Sequence, residues 1–272
     1  MLTPAPDLPP CRPRNRLLAG LPPGELARLA PRLEPVRLEL RQVLHDVDRP
    51  ITHVHFVEAG VVSVVSAMAD GTAVETATIG YEGLVGLPLF LGVDRTPAQA
   101  FCQIPGAAYR LEAGAFQEEI ARGGALRGAV GRYAQALFTL VAQNSACNRL
   151  HLVERRCARW LLQTHDRVGA ERGVDEFPLT QQFLSQMLGV RRATVSEAAA
   201  TLQARGVIVY EYGRVRVRDR AGLEAAACEC YQIISREFDR LVARLPVGPS
   251  PLAAVPTADA SGHTALRDAD AA

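Results

Sequence analysis

Two adjacent arginines, Arg191 and Arg192, follow a Gly-Val pair and open a run that contains Thr194, Ser196 and Glu197. At the head of a helix these residue types suit contact with duplex DNA. A guanidinium forks onto O6 and N7 of guanine, a hydroxyl reaches a phosphate oxygen, and a carboxylate accepts from the N4 amine of cytosine. Glu197 has an equal second reading as a solvated carboxylate that repels phosphate. Arg214 and Arg216 alternate further on in a β-branched run and offer two more cationic contacts, and Thr180 offers a hydroxyl just upstream. Between residues 178 and 220 seven arginines (191, 192, 205, 214, 216, 218, 220) stand against three acids (197, 211, 219), whereas the whole chain is only +1. A local excess of that kind is the electrostatic footprint of a DNA binder, the plainer reading being a solvated basic face.

The surrounding residues supply the elements that hold such a set. Thr180 is an N-cap residue for a helix with Phe183, Leu184, Met187 and Leu188 on one face. Gly189 ends it, because glycine tolerates the left-handed conformation of a tight turn, and Val190 plugs the space between two helices. A second helix from about Arg191 to Arg205 buries Val195, Ala198, Ala199 and Leu202, turns Ala193, Glu197, Ala200 and Ala204 outward, and stops at Gly206. Residues 207–210 and 214–218 then form two short strands around Glu211-Tyr212-Gly213, the pattern of a hairpin wing.

Residues 179–220 resemble the winged helix-turn-helix of the Crp/Fnr family of bacterial transcription regulators. The family pattern of a basic residue, any residue, Thr and Val after the turn is met by Arg192, Ala193, Thr194 and Val195. The resemblance implies Arg192 as a base reader and Thr194 as a phosphate or backbone contact. It also implies an α+β fold: an N-terminal antiparallel β-roll like a cyclic-nucleotide-binding domain, a long dimerisation helix and a C-terminal winged helix-turn-helix. Double-stranded DNA with an inverted repeat, a second copy of the chain and RNA polymerase are the implied partners. Ala193 replaces the acidic reader that follows the arginine in the Crp subgroup, so that subgroup's operator is not expected.

The rest of the chain fits this order. Residues 1–16 hold five prolines and read as an unfolded lead-in, and 17–122 as the sensor, with a helix start at Pro22-Pro23. Short β-rich runs at 36–40, 51–57, 61–67, 74–79, 98–104 and 107–111 are separated by turn signals that include Ala59-Gly60 and Pro105-Gly106. Family members that bind cyclic nucleotides use a Gly-Glu segment and an Arg-Ser pair to hold ribose and cyclic phosphate. Here Gly83, Leu84, Val85 and Gly86 stand in that segment without the glutamate, and Arg95-Thr96 stands near the place of the pair. These six are the effector-pocket candidates. Their departures argue against cAMP and leave room for another small-molecule effector or for plain core, so no cofactor is called for.

Residues 123–150 read as the dimerisation helix. Leu126, Val130, Tyr133, Leu137, Leu140 and Asn144 recur at gaps of four and three, the a/d rhythm of a coiled coil. Asn144 there either fixes register across a two-fold or bonds to the β-roll, and the stripe as a whole either meets a partner or packs on its own sheet. A hinge near 150–152 leads into the DNA-binding domain over 151–245, with Val153, Cys157, Trp160, Leu161 and Thr164 packing on it. A further helix spans 221–245, and 246–272 reads as a disordered tail.

The six cysteines at 11, 102, 147, 157, 228 and 230 do not support the family's iron–sulfur cluster, because only Cys11 is N-terminal. Cys228 and Cys230, in an apparently helical segment, point apart and suggest free thiols and no metal site. His53 and His55 share a strand face, which suits a metal or haem ligand pair or, as the plainer reading, a hydrated or hydrogen-bonded pair. No Ser/His/Asp set, carboxylate pair or glycine loop points to an enzyme. The absence of a signal pattern and of a long apolar run leads to a cytoplasmic expectation with no membrane partner. The alternative function is a constitutive DNA-binding dimer whose β-roll is a scaffold without a ligand. Effector, operator and the sign of regulation are not readable from the residues.

Overall fold

The computed structural model describes residues 13–169 and 174–242. The architecture is α+β: an antiparallel β-roll, one long helix and a winged helix-turn-helix. The expected lead-in over 1–16 and tail over 246–272 lie outside the described residues except for 13–16, which correct that expectation by being packed. Asn15 is fully buried and donates to Val57 O at 3.0 Å and Gly83 O at 2.7 Å. Its side-chain oxygen caps α1 (Arg16–Ala19) by accepting from the Leu17 and Leu18 amides.

After α2 (Pro23–Leu29) come β1 (Glu34–Leu38), β2 (Val43–His45), β3 (His53–Ala67), β4 (Ala73–Ile79), β5 (Leu84–Val85) and β6 (Ala98–Glu112). They form one antiparallel sheet in the order β1-β6-β3-β4, with β2 on β6 and β5 on β3. The runs expected as four separate strands fuse into β3 and β6. The signals at Ala59-Gly60 and Pro105-Gly106 are not turns: they face each other across this pair, where the register shifts. A Cβ on Gly106 would lie 1.9 Å from Ala59 O and one on Gly60 2.5 Å from Ile104 O, so both glycines serve a close approach of two backbones.

Helix α3 (Ala113–Ala121) precedes α4 (Ala125–Leu150), whose first amides, Ala125 and Leu126, donate to the Glu25 carboxylate at 2.9 and 3.2 Å. Next come α5 (Val153–Val168), β7 (Glu176–Pro178), α6 (Gln181–Leu188), α7 (Arg192–Ala204), β8 (Ile208–Glu211) and β9 (Arg214–Val217). The single helix expected over 221–245 is two, α8 (Arg220–Ala226) and α9 (Cys230–Val242), with Ala227 extended between them. Helix α9 lies along α4, with Phe238 6.3 Å from the Tyr133 ring and Arg132 Nε donating to Leu241 O at 3.1 Å.

This packing corrects the expected dimer seam. Leu126, Val130, Tyr133 and Leu140 are buried and Leu137 half-buried in a core shared by the β-roll, α4 and α9. Tyr133 Oη donates to Leu84 O at 3.0 Å. Asn144 takes the second of its two readings, donating to Thr76 O at 3.0 Å and accepting from Arg159 at 2.7 Å. Of the α4 residues one place later in the rhythm, Arg127, Phe138, Val141 and Ser145 are exposed and Gly131 and Ala134 half-buried, and Phe138 is 70% exposed. A buried stripe and its exposed neighbour share the 4-3 spacing, so periodicity alone does not tell which one faces the chain's own sheet.

Helix α5 joins the two halves. Cys157, Trp160, Leu161 and Thr164 are buried as expected, in a core that runs from Val61, Val65 and Ile104 of the β-roll to Leu184, Val195, Leu202 and Val215 of the winged helix. Three buried arginines on α5 bind backbone or polar partners. Arg156 donates to Leu188 O, Arg159 to Asn144 and Gln163, and Arg167 to Glu82 at 2.8 Å and to Thr78 O.

Candidate nucleic-acid interface

The two-helix unit is fixed at each end of its turn. Thr180 Oγ1 accepts from Phe183 N at 3.1 Å and caps α6. Gly189 ends α6 at φ 63° and returns its amide to Gln186 O at 3.1 Å, while Arg156 reaches the last α6 carbonyl from behind. The β-roll braces the same turn: a Cβ at Gly189 would meet Val74 at 3.2 Å, and Phe101 sits edge-on to Phe183 at 6.2 Å.

Helix α7 buries Val195, Ala198, Ala199 and Leu202. That burial leaves Arg192, Ala193, Glu197, Ala200 and Ala204 exposed on the far side, with Thr194 and Thr201 half-buried at its flanks. Ser196 Oγ donates to Gln181 Oε1 at 2.7 Å, so this hydroxyl ties α7 to α6. Of the seven arginines between 178 and 220, four meet acids elsewhere in the chain. Arg205 pairs with Glu154 at 3.1 Å, Arg220 with Asp166 at 2.7 Å, and Arg214 and Arg216 share Glu176 of β7. These two guanidinium partners hold the Glu176 carboxyl below the usual carboxylate range. Among the described residues, Arg191, Arg192 and Arg218 make no ion pair, and all three are exposed. Among these seven, the cationic charge not answered by an acid of the described residues therefore sits at the head of α7 and at the end of the wing.

The wing carries one feature not read from the sequence. Tyr212, at φ 51°, and Gly213, at φ 72°, occupy the centre of its two-residue turn, and Tyr212 is 100% exposed. The turn demands positive φ at both positions, which favours Asn or Gly, so a tyrosine there is a departure from the usual turn chemistry. A cleft of about 1180 Å³ separates Arg191, Arg192, Gln182 and Gln186 from Arg41, Thr72 and Gln99 of the β-roll.

The effector-pocket candidates do not come together. Leu84 and Val85 are core residues paired with Phe56 and His55, and Gly83 and Gly86 are packed beside them. A Cβ on Gly83 would lie 2.2 Å from the Tyr133 ring, so that glycine serves helix packing. Arg95 and Thr96 stand on a surface loop, where Arg95 pairs with Asp94 and reaches Asp48 O at 3.3 Å, and Thr96 Oγ1 accepts from Ala98 N. His53 and His55 do share a face, with ring centroids 6.3 Å apart, and burial lowers the His55 pKa to about 4, which keeps that ring neutral.

Cys228 and Cys230 are free thiols as expected, but the expectation that they point apart is overturned. Cys228 lies in the break between α8 and α9 and Cys230 opens α9, so the helical angle between them does not apply. Both turn inward onto Cys147 and His151, and these four residues bring their ligand atoms within 4.8 Å of one another. Cys11 lies outside the described residues.

Among the described residues no helix is long and apolar enough to cross a membrane. Residues 155–226 match the family model of the Crp-like helix-turn-helix domain. No curated protein matches the chain in sequence. Among solved structures, FixK2 from Bradyrhizobium japonicum aligns with a TM-score of 0.61 at 15% identity, covering 72% of this chain and 98% of that one. TTHB099, a CRP-family transcriptional regulator from Thermus thermophilus, aligns at 0.58 and 22% identity, covering 71% and 96%. CLP, a c-di-GMP responsive global regulator from Xanthomonas campestris, aligns at 0.56 and 16%, covering 71% and 98%. With its DNA-binding segment matched directly and its remaining elements in the same arrangement, the chain has a Crp/Fnr-type transcription regulator fold with a Crp-like helix-turn-helix DNA-binding domain.

Proposed function

We propose that the protein binds specific duplex DNA sequences as a homodimer and couples a signal received by the β-roll to the two recognition helices, acting on transcription through RNA polymerase. The observation that carries the DNA reading is the exposed head of α7, where Arg191 and Arg192 meet no acid among the described residues while Arg205, Arg214, Arg216 and Arg220 do. Inserted in a major groove, Arg192 forks onto a guanine, Thr194 meets the backbone, and the alanines beyond leave room for thymine methyls. Arg218 and Tyr212 extend the contact along the wing.

The dimer reading rests on the outward α4 stripe of Ala134, Phe138, Val141 and Ser145, a coiled-coil rhythm with an exposed phenylalanine at its centre. A two-fold pair would meet an inverted repeat with half-sites ~34 Å apart. The signal would act by population shift, binding one arrangement of the dimer helices better than the other.

The test of base reading is Arg192→Ala in a salt-titrated gel-shift assay. Operator affinity falls by ~1–3 kcal/mol while affinity for unrelated duplex barely changes. An equal loss on both duplexes would refute Arg192 as a base reader. A scaffold role for the β-roll, with constitutive DNA binding, is favoured by the scatter of the six pocket candidates. Calorimetry with cyclic nucleotides and c-di-GMP separates the two, since a scaffold gives no heat and no change in operator affinity.

A further inference from the structure

Cys147 lies in the last turn of α4, and His151 is the C-cap of that helix, its amide donating to Cys147 O at 3.0 Å. The break between α8 and α9 brings Cys228 and Cys230 against these two residues. Cys147 Sγ stands 3.5 Å from Cys228 Sγ, and Cys230 Sγ 3.5 Å from His151 Nδ1. A tetrahedral ion with sulfur at about 2.3 Å and nitrogen at about 2.0–2.1 Å separates its ligand atoms by about 3.5–3.8 Å. Both observed separations already lie at that edge length. An iron–sulfur cluster interposes several atoms between its ligands and needs a wider cage.

The surroundings match the donors. His151 presents Nδ1 to the thiols while its Nε2 meets Glu229 Oε1 at 3.2 Å, the outer carboxylate that commonly orients a metal-bound imidazole. All three cysteines are buried, and Gln143 Nε2 donates to Cys230 Sγ at 3.1 Å, a bond that suits a thiolate. Three thiolates over-neutralise a divalent cation, and Arg156 and Arg159 on α5 place positive charge beside them.

We propose that Cys147, His151, Cys228 and Cys230 form a tetrahedral site for a soft divalent ion, zinc by chemical class, that ties the α8–α9 junction to the end of α4. Three thiolates and an imidazole suit an ion with no geometric preference of its own. The site lies where α4 gives way to α5, so the ion joins the long helix to the far end of the winged helix-turn-helix. A disulfide between Cys147 and Cys228 would use neither the imidazole nor Cys230.

The full chain, produced without a metal-chelating tag and kept reduced, tests the site by elemental analysis. About one zinc per chain is expected. The ion is lost from a Cys228→Ser, Cys230→Ser double variant and retained in Cys102→Ser. Cobalt(II) added to the metal-stripped wild-type chain gives thiolate-to-cobalt charge transfer and the ligand-field bands of a tetrahedral ion. This readout holds even if the double variant folds poorly. Reduced, folded wild-type chain that takes up neither zinc nor cobalt in stoichiometric amount would overturn the proposal, as would uptake that survives the double substitution. Neither measurement involves DNA, so the result stands apart from the reading of α7.

Discussion

Charge answered and charge left open divide the arginines of the winged helix. Glu176 sits between Arg214 and Arg216 and draws both guanidinium groups toward β7, so the wing's strongest cationic pair reaches a phosphate only in competition with a carboxylate. Glu176→Gln keeps the side-chain shape and removes that competitor. Affinity for a non-operator duplex at low salt is expected to rise about 3–10-fold with a steeper salt dependence. An unchanged salt slope would place the wing away from DNA. A buried acid, Glu75, lies between the β-roll and α5, where its carboxylate accepts from Trp160 Nε1 and Ser63 Oγ, each at 2.7 Å. Burial raises its pKa from 4.5 to about 7, outweighing the two hydrogen bonds and the nearby arginines. The folded state therefore holds this proton more tightly than the unfolded chain does. The resulting stabilisation is fully present below pH 4.5 and is lost as pH rises through about 7. Denaturant melts of wild type minus Glu75→Gln should show that decline, on the order of 3 kcal/mol at most. Trp160, the chain's single tryptophan, reports it by fluorescence. A flat difference would mean that Glu75 stays ionised.

Elements were legible where local chemistry dictates them and obscure where the tertiary partner does. Thr180, Gly189 and Gly206 punctuate the helix-turn-helix through cap and turn requirements that act within a few residues, and the observed α6 and α7 follow them. Gly60 and Gly106 carry the same turn-like signal, yet they exist because two long strands cross closely at a bulge, a demand made by residues far away in sequence. The α4 register failed for a related reason: two stripes one residue apart carry the same rhythm, and only α9 and the β-roll decide which of them is covered. The Cys228–Cys230 pair failed because the break after Ala226 interrupts an otherwise helical composition. The α4 assignment separates two substitutions. Tyr133→Ala should cost ~3–5 kcal/mol of stability through lost packing. Phe138→Asp should leave each chain folded and halve the mass seen by light scattering. If Phe138→Asp unfolds the chain and leaves its oligomeric state alone, the outward stripe is not the dimer face.

Taken whole, the β-roll and the winged helix-turn-helix share one apolar core among the described residues. Side chains of β3 and β6 complete the apolar core of the winged helix, α5 is buried between the two, and the buried Arg167–Glu82 pair crosses the join at 2.8 Å. Detaching one half from the other would return that apolar surface to water and leave buried charges unpaired. Grafting the DNA-reading part onto a foreign sensor would fail for the same reason: the transplant leaves Val61, Val65 and Ile104 behind, and the orphaned piece arrives with an open flank that has to find a substitute lining before it can read anything.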